Sequence, residues 1–228
     1  MIEKTHTPLT IAIDGPGGAG KSTIAKALAE ALGILHLDTG AMYRALGLKA
    51  LRAGVDPQDA SAAEALCAET DIAVALGETG QCTLLDGEDV TALIRTPAVS
   101  AAASAVSKAG GVRARMVALQ QAYAQKADMV LDGRDIGTRV LPNATHKFFL
   151  NASSEVRARR RYDELRAKGV DCAYEQVLAE MIARDRQDSE RAVDPLRCAA
   201  DATEIDTTLL SAADVLAALL RAIGEERT

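Results

Sequence analysis

A glycine-rich segment between an apolar run and a helical pattern is the feature that most constrains this chain. Residues 15–22 read Gly-Pro-Gly-Gly-Ala-Gly-Lys-Ser and fit the pattern G-x-x-x-x-G-K-[ST]. The apolar residues 9–13 predict a buried strand before it, and Ile24, Leu28 and Leu32 recur at helical spacing after it. Because glycines let backbone N–H groups curl around phosphate oxygens at a helix N-terminus, the segment predicts a phosphate-binding loop.

We expect this loop to hold the triphosphate of ATP. Lys21 is expected to reach the β- and γ-phosphates as a catalytic residue, and the Ser22 hydroxyl to be a ligand of Mg²⁺. An ordinary glycine turn is the alternative, and the predicted strand and helix on either side argue against it. The donor-binding residues would be Gly15, Pro16, Gly17, Gly18, Ala19, Gly20, Lys21, Ser22 and Thr23.

Strands alternate with helices over most of the chain, which predicts an α/β fold with a parallel sheet covered by helices on both faces. Asp14, Asp38 and Asp132 each follow an apolar strand, so they should lie along one sheet edge, where ligands bind. Further strands are predicted at 34–37, 129–131, 147–150 and near 203–206, and helices at about 41–53, 112–126, 154–168, 174–188 and 212–223.

Two segments depart from this alternation. Short strand candidates at 72–76 and 82–85, with turn signals at Gly77–Gly80 and Asp86-Gly87, predict a β-rich insertion at 66–107. The core would then comprise residues 1–65 and 108–228. An arginine-rich helix with little apolar surface, which contains Arg157 and Arg159 to Arg161, predicts a weakly docked, mobile segment at about 152–170, with a solvated charged helix as the alternative.

Composition excludes several functional classes. Of 228 residues, 48% are hydrophobic and 25% charged, the net charge is −6, and there are no Trp and two Phe. A basic groove with aromatic stacking platforms is absent, so we expect no polymeric nucleic-acid partner. No apolar run approaches ~18 residues and the first seven are polar, so we expect no membrane association and a cytoplasmic location. A monomer is the expected state.

Phosphate-binding loops of this kind occur in a broad class of proteins, and other features of the sequence narrow that class. The chain has no Asn-Lys-x-Asp that a GTPase would use to read guanine. The apolar run at 129–132 ends in Asp-Gly, whereas a motor ATPase would usually show Asp-Glu. Isolated histidines and scattered cysteines form no metal-ligand pattern. A small-molecule kinase remains.

Three groups of charged residues are candidates for a second anionic ligand. Arg44, at the end of Asp38-Thr-Gly-Ala-Met-Tyr-Arg44, offers a planar fork that fits a phosphate, although a capped helix start is the alternative. Residues 132–135, Asp-Gly-Arg-Asp, combine carboxylates and a guanidinium, as phosphoryl transfer requires; a salt-bridged turn is the alternative. The apolar stripe of the helix at 174–188 continues as Arg184, Asp188 and Arg191, which should face a cleft or each other.

These stretches resemble the nucleoside-monophosphate kinases, and the bacterial cytidylate kinases in particular. The resemblance runs from about Leu9 to Ile223 and includes residues 39–44, 88–96, 132–138 and 188–196. It implies transfer of the γ-phosphoryl of ATP to CMP or dCMP, with Lys21, Arg134, Asp135 and Arg184 as catalytic residues. It also implies an acceptor site formed by Thr39, Tyr43, Arg44, Arg113, Arg134, Asp135, Arg184, Asp188 and Arg191. It further implies that the segment at about 152–170 is a lid whose arginines close over the phosphates.

Two other functions remain open from the residues alone. A loop of this class could serve a kinase for another small acceptor, such as UMP or a metabolite hydroxyl. It could also serve a nucleotide-binding switch with little turnover. The abundance of acceptor-side arginines argues for a second anionic substrate, and therefore against a switch.

Overall fold

The computed structural model describes residues 8–77 and 80–225. Its strands are β1 (Thr10–Asp14), β2 (Leu35–Asp38), β3 (Ile72–Gly77), β4 (Gly80–Leu85), β5 (Glu88–Asp89), β6 (Met129–Asp132), β7 (His146–Asn151) and β8 (Thr203–Asp206). Its α-helices are α1 (Lys21–Leu32), α2 (Thr39–Ala53), α3 (Ala60–Glu69), α4 (Pro97–Val106), α5 (Gly110–Ala124), α6 (Ser154–Ala167), α7 (Tyr174–Glu190) and α8 (Ala212–Glu225). None of the helices in these residues is both long and apolar enough to span a membrane.

The central sheet confirms the predicted architecture. Its five strands run parallel in the order β2-β6-β1-β7-β8. Successive side chains of a strand point to opposite faces, so Ile11 and Ile13 of β1 pack on one face and Ala12 on the other. The first face is covered by α1 and α8, through residues such as Leu28 and Leu219. Met116 of α5 belongs to the cluster on the second face.

A small antiparallel sheet, β3-β4-β5, interrupts the alternation, as the turn signals predicted. Its strands lie between residues 72 and 89 of the predicted range 66–107, and the end of α3, a 3₁₀ turn and α4 occupy much of the remainder. Residues 93–95 form a 3₁₀ turn, and α4 begins at Pro97 with the Thr96 side chain as its N-cap. The predicted turn at 77–80 includes residues 78–79, which lie outside the described residues.

The predicted lid contains α6, and α6 packs against α7. Ala158, Leu165 and Val177 form a small apolar cluster between the two helices, separate from the two clusters on the sheet. Tyr162 and Tyr174 meet edge to face with their ring centroids 6.2 Å apart. The pair of helices therefore has an apolar core of its own.

Helices α2 and α4 approach each other closely at Gly47. A Cβ added at Gly47 would lie 2.7 Å from the Ala103 nitrogen and 3.1 Å from the Val99 oxygen, both of them main-chain atoms. Main-chain atoms of a helix cannot rotate away, so the two helices would have to separate. The packing of α4 against α2 therefore requires glycine at this position.

We expect Gly47→Ala to lower the free energy of unfolding by about 1–3 kcal/mol, the usual cost of overpacking. The matched control is Gly224→Ala in α8, where an added Cβ meets none of the described atoms within 4 Å outside its own helix. That change should be neutral or raise stability by up to about 1 kcal/mol, because alanine favours helix. Urea denaturation of both variants measures the difference. Equal stabilities would mean that α4 can shift without cost.

Candidate active site

The predicted phosphate-binding loop connects β1 to α1 and has the backbone geometry that only glycine adopts easily. Gly15, Gly18 and Gly20 have φ angles of 143°, 77° and 89°. A Cβ at Gly15 would lie 2.0 Å from the Leu150 carbonyl oxygen, so the end of β7 packs directly on the loop. The first turn of α1 has no side-chain cap in the described part of the chain, which leaves its N–H groups available to an anion.

Lys21 lies under this loop. It is 6% exposed, and its Nζ donates a hydrogen bond to the Pro16 carbonyl oxygen at 2.7 Å. Burial lowers the pKa of Lys21 well below its usual value, and the positive charge of Arg134 adds to that effect. A bound phosphate would add a counter-charge to those of Asp132 and Asp14.

The predicted row of carboxylates is confirmed, because Asp14, Asp38 and Asp132 end the strands β1, β2 and β6 at one edge of the sheet. Asp132 is linked to the loop and to β2. The Ser22 Oγ donates to Asp132 Oδ2 at 2.7 Å, and His36 Nε2 lies 2.7 Å from Oδ1. The prediction that the Ser22 hydroxyl binds Mg²⁺ stays a prediction, and the structure places this hydroxyl beside a carboxylate.

The oxygen atoms of Ser22 and Asp132 are chemically suited to Mg²⁺. This ion prefers hard oxygen ligands and is commonly held by one or two carboxylates together with substrate phosphates and water. The described residues contain no group of three or more His, Cys, Asp or Glu side chains that could hold a metal by themselves. A metal that arrives with the nucleotide fits such a site, and a permanently bound ion does not.

Asp14 instead binds the main chain of the segment that follows Asp135. Its carboxylate accepts hydrogen bonds from the main-chain N–H groups of Ile136 and Gly137 at 2.8 and 2.7 Å. Those residues begin a π-helical turn, Ile136–Val140. Burial raises the pKa of Asp14 to about 6, although the two N–H groups oppose the shift. Asp14 therefore fixes the segment that follows Asp135.

On the acceptor side, Asp38 holds two arginines. Its Oδ2 atom lies 2.7 Å from Arg44 Nη2 and 3.0 Å from Arg95 Nη1, and its Oδ1 caps α2 by accepting from the Ala41 N–H. Burial alone would raise the pKa of Asp38, but Arg44 and Arg95 hold it below its ordinary value. The predicted acceptor residue Thr39 follows directly and donates its hydroxyl to the Asp132 carbonyl oxygen at 2.7 Å.

A second network surrounds Asp135. Its carboxylate pairs with Arg113 and with Arg191, and the latter distance is 3.3 Å. Arg113 is 1% exposed, donates to Asp194 at 3.1 Å, and has its guanidinium carbon 5.7 Å from the centre of the Tyr43 ring. The predicted acceptor residues Tyr43, Arg113, Asp135 and Arg191 are therefore brought together in one buried group.

A third group joins α7 to the segment after β6. Arg134 Nε donates to Asp188 Oδ2 at 2.9 Å, and a Cβ added at Gly17 would lie 3.6 Å from Arg134 Nη2. Arg184 differs from the other cleft arginines. It has no hydrogen bond or ion pair with any described side chain, and its buried Nε is unsatisfied. Burial, reinforced by Arg134, lowers the pKa of Arg184 to about 10.

The predicted α7 stripe is thus turned toward the cleft. Arg184, Asp188 and Arg191 do not bridge each other but face residues of other elements. In the predicted lid, Arg157 contacts the loop: it donates to the Gly17 carbonyl oxygen at 3.1 Å and pairs with Asp185 at 2.7 Å. Arg160 donates to Thr207, Arg161 pairs with Glu164, and Arg159 stacks over Tyr174.

Sequence reasoning did not single out three residues that the structure places in these networks. Arg95 and Asp194 lie within stretches that carry the family resemblance, but local spacing gave neither a partner. His36 is isolated in the sequence, yet it contacts Asp132. Only the alternation of β2, which places residues 36 and 38 on the same side of the strand, could have suggested its position.

Comparison with known proteins agrees with this geometry. The family described as Cytidylate kinase matches residues 11–225. The chain belongs to the cytidylate kinase family. It is 52% identical over 212 residues to the cytidylate kinase of Caldicellulosiruptor bescii, covering 93% of this chain and 94% of that one. It is 50% identical over 217 residues to the cytidylate kinase of Geobacillus kaustophilus, covering 95% and 97%.

Solved structures give the fold alone. An uncharacterised protein from Eubacterium ventriosum superposes with a TM-score of 0.52 at 13% identity, covering 95% of this chain and 98% of that one. A similarity at this level of identity supports the sheet order and helix arrangement described above. It carries no information on the acceptor.

The contrast between Arg184 and Arg113 generates a stability prediction. Arg184 is half-buried and forms no hydrogen bond or ion pair with a described side chain, so Arg184→Gln should leave the free energy of unfolding unchanged or raise it by about 1 kcal/mol. Arg113→Gln removes a buried guanidinium that pairs with both Asp135 and Asp194, leaving Asp135 with Arg191 alone, and should lower the free energy of unfolding by about 3–5 kcal/mol. Denaturation without nucleotide tests both. Equal destabilisation would show that Arg184 is structurally paired.

Proposed function

We propose that this chain transfers the γ-phosphoryl group of ATP to the 5′-phosphate of CMP or dCMP, giving ADP and CDP or dCDP. The observation that carries the proposal is an identity of about one half to cytidylate kinases over more than nine tenths of the chain. The geometry supports it, because a phosphate-binding loop and a second, arginine-rich site meet at one sheet edge. A nucleotide switch would need only the first of these.

The proposed donor site is the loop from Gly15 to Thr23. Its N–H groups and Lys21 would hold the β- and γ-phosphates, with Arg134 close to Gly17 on the acceptor side. Ser22 and Asp132 would hold Mg²⁺, which, when bound, would offset the negative charge of the donor phosphates. Arg184, which forms no hydrogen bond or ion pair with a described side chain, would neutralise the group in transfer.

The reaction requires little covalent chemistry from the protein. An oxygen of the acceptor 5′-phosphate attacks the γ-phosphorus, and the bond between that phosphorus and the β–γ bridging oxygen breaks as ADP leaves. The acceptor phosphate is already ionised at neutral pH, so no general base is required. The work of the chain is to align two anions that would otherwise repel each other, and buried arginines perform it.

The proposed acceptor site uses the three networks. Arg44, Arg134 and Arg191 would bind the 5′-phosphate, with Asp38, Asp188 and Asp135 as their respective partners in the empty protein. Thr39, Tyr43, Arg113 and Asp135 would line the nucleoside, and Asp188 would read the ribose. The lid at about 152–170, the insertion, a monomeric state and a cytoplasmic location remain predictions.

A coupled assay of ADP release tests the function. ADP should form rapidly with CMP or dCMP, slowly with UMP, and hardly at all with ATP alone. Lys21→Ala should lower the rate by about 10²–10³, the usual effect of removing a group that stabilises transferring charge. Equal rates with and without any nucleoside monophosphate would indicate a nucleotide switch. A preference for UMP would identify the alternative acceptor.

Asp188 provides a test of ribose recognition. A carboxylate can accept a hydrogen bond from the 2′-hydroxyl, and the Arg134 bond engages Oδ2. Asp188→Ala should therefore lower kcat/KM for CMP more than for dCMP, by about 1–3 kcal/mol of differential effect.

The matched variant is Arg191→Ala. It should lower kcat/KM for CMP and for dCMP by the same factor, because both substrates carry the same 5′-phosphate. Steady-state kinetics on the two substrates decides between the roles. Equal losses on CMP and dCMP in Asp188→Ala would mean that this carboxylate only orients Arg134.

A further inference from the structure

The strand that carries Asp38 is an edge strand. In the described sheet, β2 pairs with β6 on one side and with no strand on the other. The Leu35 N–H donates to the Asp128 carbonyl oxygen at 3.1 Å, so Leu35 and Leu37 direct their main-chain groups toward β6. His36 and Asp38 direct theirs to the open edge. Asp38 is only 5% exposed, so its main-chain groups need a partner other than water.

Gln81, from β4 of the insertion, supplies that partner. Its Oε1 accepts from the Asp38 N–H at 2.7 Å, and its Nε2 donates to the Asp38 carbonyl oxygen at 3.2 Å. The second Nε2 hydrogen is directed at Thr83 Oγ1, also at 3.2 Å. Because an N–H can only donate and a carbonyl can only accept, the side-chain amide has a single orientation here. One glutamine thus replaces a neighbouring strand at this residue.

Asp38 in turn controls the acceptor side of the cleft. Its carboxylate caps α2 and holds both Arg44 and Arg95, and Arg95 comes from the 3₁₀ turn that follows the insertion's sheet. A small rotation of the Asp38 main chain would move the carboxylate and, with it, the two guanidinium groups. Phosphate recognition by arginine depends on such fixed geometry.

We propose that Gln81 is a positioning residue for the acceptor, which fixes the main chain of Asp38 and thereby sets Arg44 and Arg95 to receive the acceptor's phosphate. The β3–β5 insertion then acts as part of the acceptor site, connected to it by one side-chain amide. The inference rests on the proposed function for the identity of the acceptor. The link between Gln81 and Asp38 does not depend on the proposed function.

Other contacts hold the insertion to the rest of the protein, so Gln81 is not needed for attachment. Arg52 of α2 makes two hydrogen bonds to Glu88 at 2.6 and 3.0 Å, and Lys49 pairs with Asp86 at 2.6 Å. The Tyr123 hydroxyl accepts from the Val74 N–H at 2.7 Å. The Arg52–Glu88 pair touches the insertion but not Asp38. It therefore provides a matched control.

The kinetic test compares Gln81→Met with Arg52→Gln. Methionine keeps the length of the side chain but can neither pair with the Asp38 N–H nor donate to its carbonyl. Gln81→Met should raise the KM for CMP and for dCMP about tenfold and leave the KM for ATP within about twofold of wild type. Arg52→Gln should leave both KM values unchanged. Equal increases for donor and acceptor, or the same increase in Arg52→Gln, would overturn the proposal.

Hydrogen exchange gives a readout that does not require activity. The Asp38 amide should be protected in the nucleotide-free wild type and in Arg52→Gln, and should exchange at least about tenfold faster in Gln81→Met. Unchanged protection would overturn the proposal even if the variant were poorly active. If the wild type phosphorylates neither CMP nor dCMP, the proposed function fails. Loss of Asp38 protection would then still support the link to Gln81.

Discussion

The carboxyl ends of β1, β2 and β6 bring Asp14, Asp38 and Asp132 to one edge of the sheet, and each must be satisfied away from water. Each carboxylate has a different set of partners. Asp14 takes main-chain N–H groups, Asp38 takes arginines and a helix start, and Asp132 takes a hydroxyl and an imidazole. These partners belong to α1, β2, α2, the 3₁₀ turn at 93–95 and the segment after β6. The positions of those elements around the cleft therefore follow from the charge requirements of three strand ends.

One arginine of the cleft, Arg184, has no ion pair with a described side chain. Arg44, Arg134 and Arg191 each form an ion pair with an aspartate, whereas Arg184 feels the charges of Arg134 and Asp188 without forming a hydrogen bond or ion pair with a described side chain. A site in which all cations were internally paired would have to break ion pairs to admit phosphate. A guanidinium without such a pair can bind the substrate phosphate with no ion pair broken first.

Much of the fold and of the candidate site could be predicted from the sequence, because the relevant signals are local. The loop at 15–22, the strand ends and the α7 stripe each depend on neighbours within one turn or one strand. The strand candidates at 72–76 and 82–85 correspond to β3 and β4, whereas the Thr96 cap and Pro97 mark the start of α4 within the predicted β-rich range. The partner of Gln81 could not be foreseen, since it depends on which strand forms the edge of the sheet. That order is a property of the whole chain.

The separate apolar cluster between α6 and α7 has a thermodynamic consequence. Because Ala158, Leu165 and Val177 already pack together in the nucleotide-free protein, these helices need not fold when nucleotides bind. Coupled folding on binding would bury new apolar surface and produce a large negative change in heat capacity. A preassembled helix pair that exchanges ion-pair partners, such as Arg157 with Asp185, exposes and buries little apolar surface. The change in heat capacity on nucleotide binding should accordingly be small, and the binding enthalpy should vary little with temperature.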